Sequence, residues 1–245
     1  MIDNTIILNY FRRPSSLEYQ LETLEKQSVQ SKEIIIWCNE GGYNDKLPPI
    51  ANNYTVIKSG RNYKYHARFA LGLLHDTEYI SYFDDDTIPG KDWFKSCIEC
   101  MKIKEGMYGT IGVILNGKHY VKNSKVGWFG KNNEEITQVD LIGHSWFLKR
   151  EWLNYMWRDT PLSFINGEDI QLSYRILKYG GIKTYVPPHP INNKDIWGSQ
   201  VEYGKKVGND NNCSLKSNNE HYEQRNELVR DCIDDGWVTV KGISK

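Results

Sequence analysis

Cysteine is scarce in this 245-residue chain: there are five, an odd number with no framework spacing. That excludes a disulfide-stapled secreted scaffold and favours a reducing compartment. Cys97 and Cys100 do form a C-x-x-C pair. A zinc or redox centre would need a second pair or a thioredoxin-like context, and Cys38, Cys213 and Cys232 supply neither. The pair therefore reads as two thiols on one helix face. Long hydrophobic runs are also missing. No stretch approaches the roughly 18 apolar residues of a membrane span. Met1-Ile2-Asp3-Asn4 has no basic region leading into an apolar core, so no secretory signal is read there, and a cytoplasmic protein is expected. Net charge is absent too, with 31 Lys+Arg against 31 Asp+Glu. No global field draws the chain to nucleic acid or to an anionic membrane.

What is present suits a folded globular chain: 39% hydrophobic residues, 25% charged, and an aromatic set of 16 Tyr and 8 Trp. Aromatics pack cores, and they also stack on bases and sugar faces. The first half alternates strand-like and helix-like segments. Thr5–Tyr10, Glu33–Cys38, Tyr54–Ile57 and Tyr79–Phe83 read as buried strands. Helices are expected from Ser15-Ser16 through Gln27 and over Tyr65–His75. This order predicts an α/β fold: a mixed, mainly parallel central sheet flanked by helices, Rossmann-like in build. Ligands in such sheets bind beyond the carboxyl ends of the strands, where Tyr10, Asn39, Ser59 and Asp84 all fall.

The second half is more mixed. Gly109–Leu115 and Val139–Leu148 read as strands, the latter interrupted at Gly143, and a glycine inside a strand marks a bulge or a close approach. Gly127-Trp128-Phe129-Gly130 reads as a loop and Lys149–Trp157 as a short helix. Glu168–Tyr179 reads as a helix closed by Gly180-Gly181. Ile182–Val186 is a strand stopped by Pro187-Pro188-His189-Pro190. Lys205–Asn219 turns polar and reads as a mobile loop, followed by a last helix to about Asp234 and a strand-like Trp237–Val240. There is no internal repeat and no linker. A single domain is expected over 1–245: a nucleotide-binding half at 1–105, an acceptor and catalytic half at 106–204, and the loop and last helix at 205–245.

Asp84-Asp85-Asp86 directly follows the strand Tyr79–Phe83, and Pro89-Gly90 follows at once. Carboxylates at the mouth of a buried strand repel one another and call for a cation. Asp oxygens suit hard ions such as Mn²⁺ or Mg²⁺, which bridge phosphates. Side chains alternate in extended chain, so Asp84 and Asp86 point one way and Asp85 the other. Gly167-Glu168-Asp169 opens a helix, where acidic residues are favoured by the dipole and where one carboxylate facing a cleft can act as a base. His189 sits in a rigid proline frame past a strand end, and its neutral imidazole suits a metal. His221, with Arg225 one turn later, is the rival, and His66 and His144 flank other candidate segments. Arg12, Arg61, Lys64 and Arg68 gather at the first and third strand ends and suit phosphate or base-edge contact.

Together these residues resemble the GT-A class of nucleotide-sugar glycosyltransferases, in particular small family 2-like members from bacteria and large DNA viruses. The resemblance runs from about Thr5 to His189 and on toward Arg225. Asp84-Asp85-Asp86 is similar to the D-x-D signature, and Gly167-Glu168-Asp169 to the x-E-D motif. Asn62–Phe69 is similar to N-x-G-x-x-x-A-R-N, with Lys64 where that motif has Gly and Phe69 where it has Asn. The resemblance implies metal ligation by Asp84, Asp86 and His189. It implies donor contacts from Asn9, Tyr10, Arg12, Asn39, Arg68, Asp84 and Asp85, with Tyr10, Arg12 and Asn39 around the base. Gly143, His144 and Trp146 would form the acceptor loop, with Trp146 and Trp128 stacking on a sugar face. Asp169, beside Glu168, would deprotonate an acceptor hydroxyl, giving inversion. The cofactor implied is Mn²⁺ or Mg²⁺, the donor a UDP-sugar, and the acceptor a glycan or glycoconjugate. The Lys205–Asn219 segment would close over the donor. Two other readings stand beside this one: a nucleotidyltransferase, disfavoured by a first loop without glycine (Asn9–Pro14), and a non-catalytic carbohydrate-binding module of the same fold.

Overall fold

The computed structural model describes residues 1–40, 47–121, 123–128, 130–209 and 220–245. Its strands are β1 (Ile2–Tyr10), β2 (Ser31–Cys38), β3 (Thr55–Lys58), β4 (Tyr79–Phe83), β5 (Gly106–Leu115), β6 (Asn123–Val126), β7 (Thr137–Val139), β8 (Leu141–Lys149) and β9 (Lys183–Val186). Its helices are α1 (Pro14–Glu25), α2 (Ala67–Gly72), α3 (Trp93–Ile103), α4 (Leu153–Met156), α5 (Glu168–Gly180), α6 (Val201–Gly208) and α7 (His221–Asp234).

Among the described residues one sheet carries all nine strands, in the order β3-β2-β1-β4-β8-β5-β9-β7, with β6 beside β5. β1 pairs in parallel with both β2 and β4, and β2 with β3. β8 runs antiparallel between β4 and β5, and β9 is parallel to β5. β6 and β7 are antiparallel to β5 and β9. Six strands thus share one direction and three oppose it, the mixed and mainly parallel sheet expected.

β1 is central and is covered on both faces, which is why Ile6, Ile7 and Leu8 are consecutive apolar residues and all buried. Each such side chain contributes about 1.5–3 kcal/mol when fully buried. Pro14 starts α1 where its missing N–H costs nothing, and Leu17, Leu21 and Leu24 form the buried stripe. Cys97 and Cys100 both lie on the buried face of α3. Burial pushes the Cys100 thiol up to about 11, so the pair packs as apolar groups.

A second core joins α5 and α7 through Ile170, Tyr174, Leu228, Val229 and Ile233. Gly167 makes that junction possible. It caps α5 with φ +80°, and a β-carbon there would stand 2.3 Å from Leu228 Cδ2. Three segments differ from their sequence patterns. Lys205–Gly208, read as loop, completes α6, while residues 210–219 lie outside the described residues. Trp237–Val240 is not a strand, because Asp140 accepts the Val240 N–H at 2.6 Å in place of a neighbouring strand. β6 and β7 are short additions with little apolar content of their own, and pairing with longer strands holds them.

Candidate active site and metal centre

The carboxyl ends of β1, β2 and β4 open into a cleft of about 1000 Å³. Its floor is built from charged pairs. Asp84 pairs with Arg68 of α2, and the other arm of that guanidinium reaches Glu168 of α5 at 3.1 Å. Asp85 pairs with Arg13 at 2.5 Å, and Arg13 also lies 3.6 Å from Asp86. Asp169 accepts a hydrogen bond from Arg225 of α7 at 2.6 Å, and its other oxygen takes the Ile170 N–H at 2.9 Å. In these pairs five carboxylates meet three guanidiniums, a local excess of negative charge. Part of this excess is relieved by proton uptake. Burial and the neighbouring Asp169 push Glu168 up to about 7, with Arg68 and Arg225 opposing. Burial likewise raises Asp85 to about 8 against the pull of Arg13.

Asp84, Asp86 and His144 bring ligand atoms within 4.8 Å of one another. Two carboxylates and an imidazole fit a borderline-hard divalent ion such as Mn²⁺. Burial works to raise Asp86, but hydrogen bonding and charge from His144, with Arg13 behind, hold it below its ordinary value. Burial depresses His144, yet Asp86 outweighs it and the imidazole is raised. His144 reaches this position through its backbone. It sits in β8 at φ +68°, where β8 and β5 lose register, and its carbonyl accepts the Asp84 N–H at 2.9 Å. A bulge here turns a strand side chain toward the aspartates. Arg12 (φ +63°), Lys64 (φ +58°) and His144 are the three non-glycine residues with positive φ among those described, and all three line this cleft. Such conformations cost roughly 1–3 kcal/mol each and cluster where function constrains the chain.

The remaining expected residues divide. Asn9, Arg12 and Asn39 line the cleft. Asn39 is committed to shaping it: its amide donates to Lys64 O at 2.6 Å and Asn62 Oδ1 at 3.2 Å, and accepts from Tyr63 N at 2.9 Å. Arg12 pairs with Glu40 at 2.5 Å. Gly143 leaves open space beside Asp169, whose Oδ2 would lie 4.0 Å from a β-carbon there.

Three residues are corrected. Tyr10 is 2% exposed and packs in the core. The chain turns after it, so Phe11 and Arg13 face the cleft instead. His189 stands outside the aspartate cluster. Its Nδ1 bonds Pro187 O at 2.9 Å and its Nε2 accepts Gly198 N–H at 3.3 Å, so both nitrogens are spent on backbone. Burial lowers it to about 4, keeping it neutral between Trp93 and Trp197. Trp146 borders the cleft, but at 1% exposure and with Arg68 4.6 Å over its ring it forms part of the floor and offers no free face to a sugar. Trp128, half-buried with its ring 5.8 Å from His144, keeps its place on the wall.

Sequence reasoning did not single out Arg13, Asn166 and Tyr120. Arg13 was masked by Arg12, whose left-handed turn aims the second arginine inward. Asn166 bonds Arg225 at 3.3 Å, and Tyr120 lies 4.1 Å under the same guanidinium. Neither carries a sequence signal beyond its residue type.

No family model matches this chain, and no curated protein matches it. Solved structures do. A structure of GalNAc-T7 with UDP, GalNAc and Mn²⁺ superposes with a TM-score of 0.59 at 12% identity, covering 77% of this chain and 43% of that one. A mannosyltransferase from Pyrobaculum calidifontis, with GDP-Man and Mn²⁺, gives 0.52 at 14%, covering 78% and 58%. Residues 1–349 of S. aureus TarS give 0.54 at 14%, covering 95% and 70%. The chain spans about half the length of the first two. Likeness at this identity speaks to architecture, and with the sheet order and helix placement above, it establishes that this chain has the GT-A fold of nucleotide-sugar glycosyltransferases.

Proposed function

We propose that this chain is a metal-dependent glycosyltransferase that moves a sugar from a nucleotide-sugar, a UDP-sugar in our reading, to a hydroxyl of a glycan or glycoconjugate. One observation carries the proposal: the Asp84–Asp86–His144 cluster and the Asp169–Arg225 pair line a single cleft beyond the carboxyl ends of β1 and β4. The presence of a nucleotide and Mn²⁺ in two structures of the same fold supports it.

Asp84, Asp86 and His144 would hold Mn²⁺ or Mg²⁺, which when bound supplies Lewis-acid neutralisation of the departing diphosphate. Asn9, Arg12 and the Asn39-shaped 62–64 turn would take up the nucleoside. Arg68 fixes Asp84 and keeps a positive charge beneath the donor. Asp85, tied to Arg13 within the cleft, fixes the first loop to the aspartate turn. Asp169 would accept the acceptor proton at Oδ2 after partial release from Arg225, with Gly143 leaving room for the hydroxyl. Attack from that side, opposite the leaving diphosphate, inverts the anomeric centre.

Calorimetric titration of UDP with Mn²⁺ and then with EDTA is the first test. Binding that requires the metal supports the reading, and no binding in either buffer overturns it. Asp169→Asn should then keep metal-dependent UDP binding while losing transfer by about 10²–10⁴-fold. A purely carbohydrate-binding module would be indifferent to both.

A further inference from the structure

Large exposed apolar side chains collect at the end of the cleft that leads to Asp169. Val121, Ile165 and Tyr222 are 49%, 57% and 50% exposed, and all three line the cleft. They come from three separate segments: the chain after β5, the turn before α5, and the first turn of α7. Leu162 and Phe164 extend the apolar surface outward along the turn before α5, also about half exposed.

This rim is held in place by the same side chains that hold Asp169. Asn166, next to Ile165, donates to His221 O at 3.1 Å, contacts His221 Nδ1 at 3.2 Å, and accepts from Arg225 at 3.3 Å. Asn226, one residue after Arg225, accepts the Val121 N–H at 3.2 Å. Phe164 is seated against the His66 ring at 5.5 Å. Burial keeps His66 and His221 near 4, so both are neutral, and Asp169 is already paired with Arg225. Tyr222 could stack on a sugar face, but Val121, Ile165 and Leu162 offer no ring, and a substrate of sugars alone would leave them in water. Fixed exposed apolar groups at the mouth of a polar cleft mark a ligand with the same division of character.

We propose that the acceptor is a sugar headgroup on a hydrocarbon chain, with the headgroup at Asp169 and the chain lying over Val121, Ile165 and Tyr222 toward Phe164. The proposal rests on the glycosyltransferase reading for the role of Asp169, while the rim itself is independent of it. The rim residues lie on segments that supply no member of the Asp84–Asp86–His144 cluster, so the hydrocarbon chain is expected to leave nucleotide affinity unchanged.

The test uses the whole chain with UDP and Mg²⁺. Matched methyl and n-octyl β-D-glycosides of glucose, galactose and mannose, below the micelle concentration, are compared by saturation-transfer NMR and by competition. At least one octyl glycoside is expected to bind about tenfold or more tightly than its methyl partner, with saturation reaching the alkyl protons. Substituting both Ile165→Ser and Tyr222→Ser should reduce that ratio to within about threefold, and UDP affinity should stay as in the parent chain. Equal binding of every methyl–octyl pair overturns the proposal, as does a preference that survives the double substitution. The UDP titration in the same samples separates the two ideas: failure of UDP to bind removes the donor reading, whereas UDP binding without an octyl preference removes the lipid-linked acceptor alone.

Discussion

Replacing Glu168 with glutamine should make the protein less sensitive to alkali. Glu168 is 7% exposed and shares its surroundings with Asp84 and Asp169. Its native value is about 7, against an ordinary 4.5. Below the ordinary value the carboxyl is protonated in both folded and unfolded chains and its contribution to stability is fully present. As pH rises, the unfolded chain releases the proton first while the native chain keeps it. Stability is therefore lost until the native group also ionises near 7, about 3 kcal/mol in all. Glutamine has no proton to lose, and its oxygen still accepts from Arg68. The stability of Glu168→Gln relative to the parent should grow by about 2–3 kcal/mol between pH 5 and pH 8, roughly 4–12 °C in melting temperature. Asp85 adds a slope of the same sense, but it is present in both proteins and cancels in the difference. The assay is urea and thermal unfolding across that range in EDTA, since a cation beside Asp84 would draw the proton off Glu168. Parallel pH curves for the two proteins would refute the charge accounting of the cleft floor.

His144→Ala should weaken Mn²⁺ binding at least about tenfold by calorimetry. His189→Ala should leave that affinity intact and cost about 1–3 kcal/mol of stability, because it strands Pro187 O and Gly198 N–H. Arg225→Ala leaves Asp169 buried without its partner and should cost about 3–5 kcal/mol in chemical unfolding, with Arg225→Lys recovering part of the loss. Gly208→Ala places a β-carbon 2.1 Å from Asp86 Oδ2, so Asp86 or α6 must shift and metal affinity measured by titration should fall.

The strands were legible because β1, β2 and β4 are short apolar runs ended by turn chemistry, and their parallel order follows from the helices between them. The aspartates and the Glu168-Asp169 pair were legible because each sits at the end of a regular element, where direction is fixed. The third member of the candidate metal cluster was not. His189 had the sequence context of a ligand, but a rigid proline frame can hold an imidazole against backbone as easily as against a metal. His144 sits inside a strand, where a side chain's direction normally follows alternation. Only a left-handed residue and a register shift turn it to the aspartates, and neither is written in residue types. Trp146 and Tyr10 failed for a simpler reason: aromatics near a cleft divide between walls and foundations, and burial decides between them.

The strand order also constrains how the chain is made. β8 lies between β4 and β5, so the edge of β4 is closed by a strand whose first residue, Leu141, is translated about sixty residues after Phe83. At 5–20 residues per second that is roughly 3–12 s during which the nascent sheet carries an open apolar edge. The same strand delivers His144 to Asp84 and Asp86. Sealing the sheet and completing the Asp84–Asp86–His144 cluster are therefore one event in synthesis, and a nascent chain arrested between β4 and β8 would be both sticky and unable to assemble that cluster.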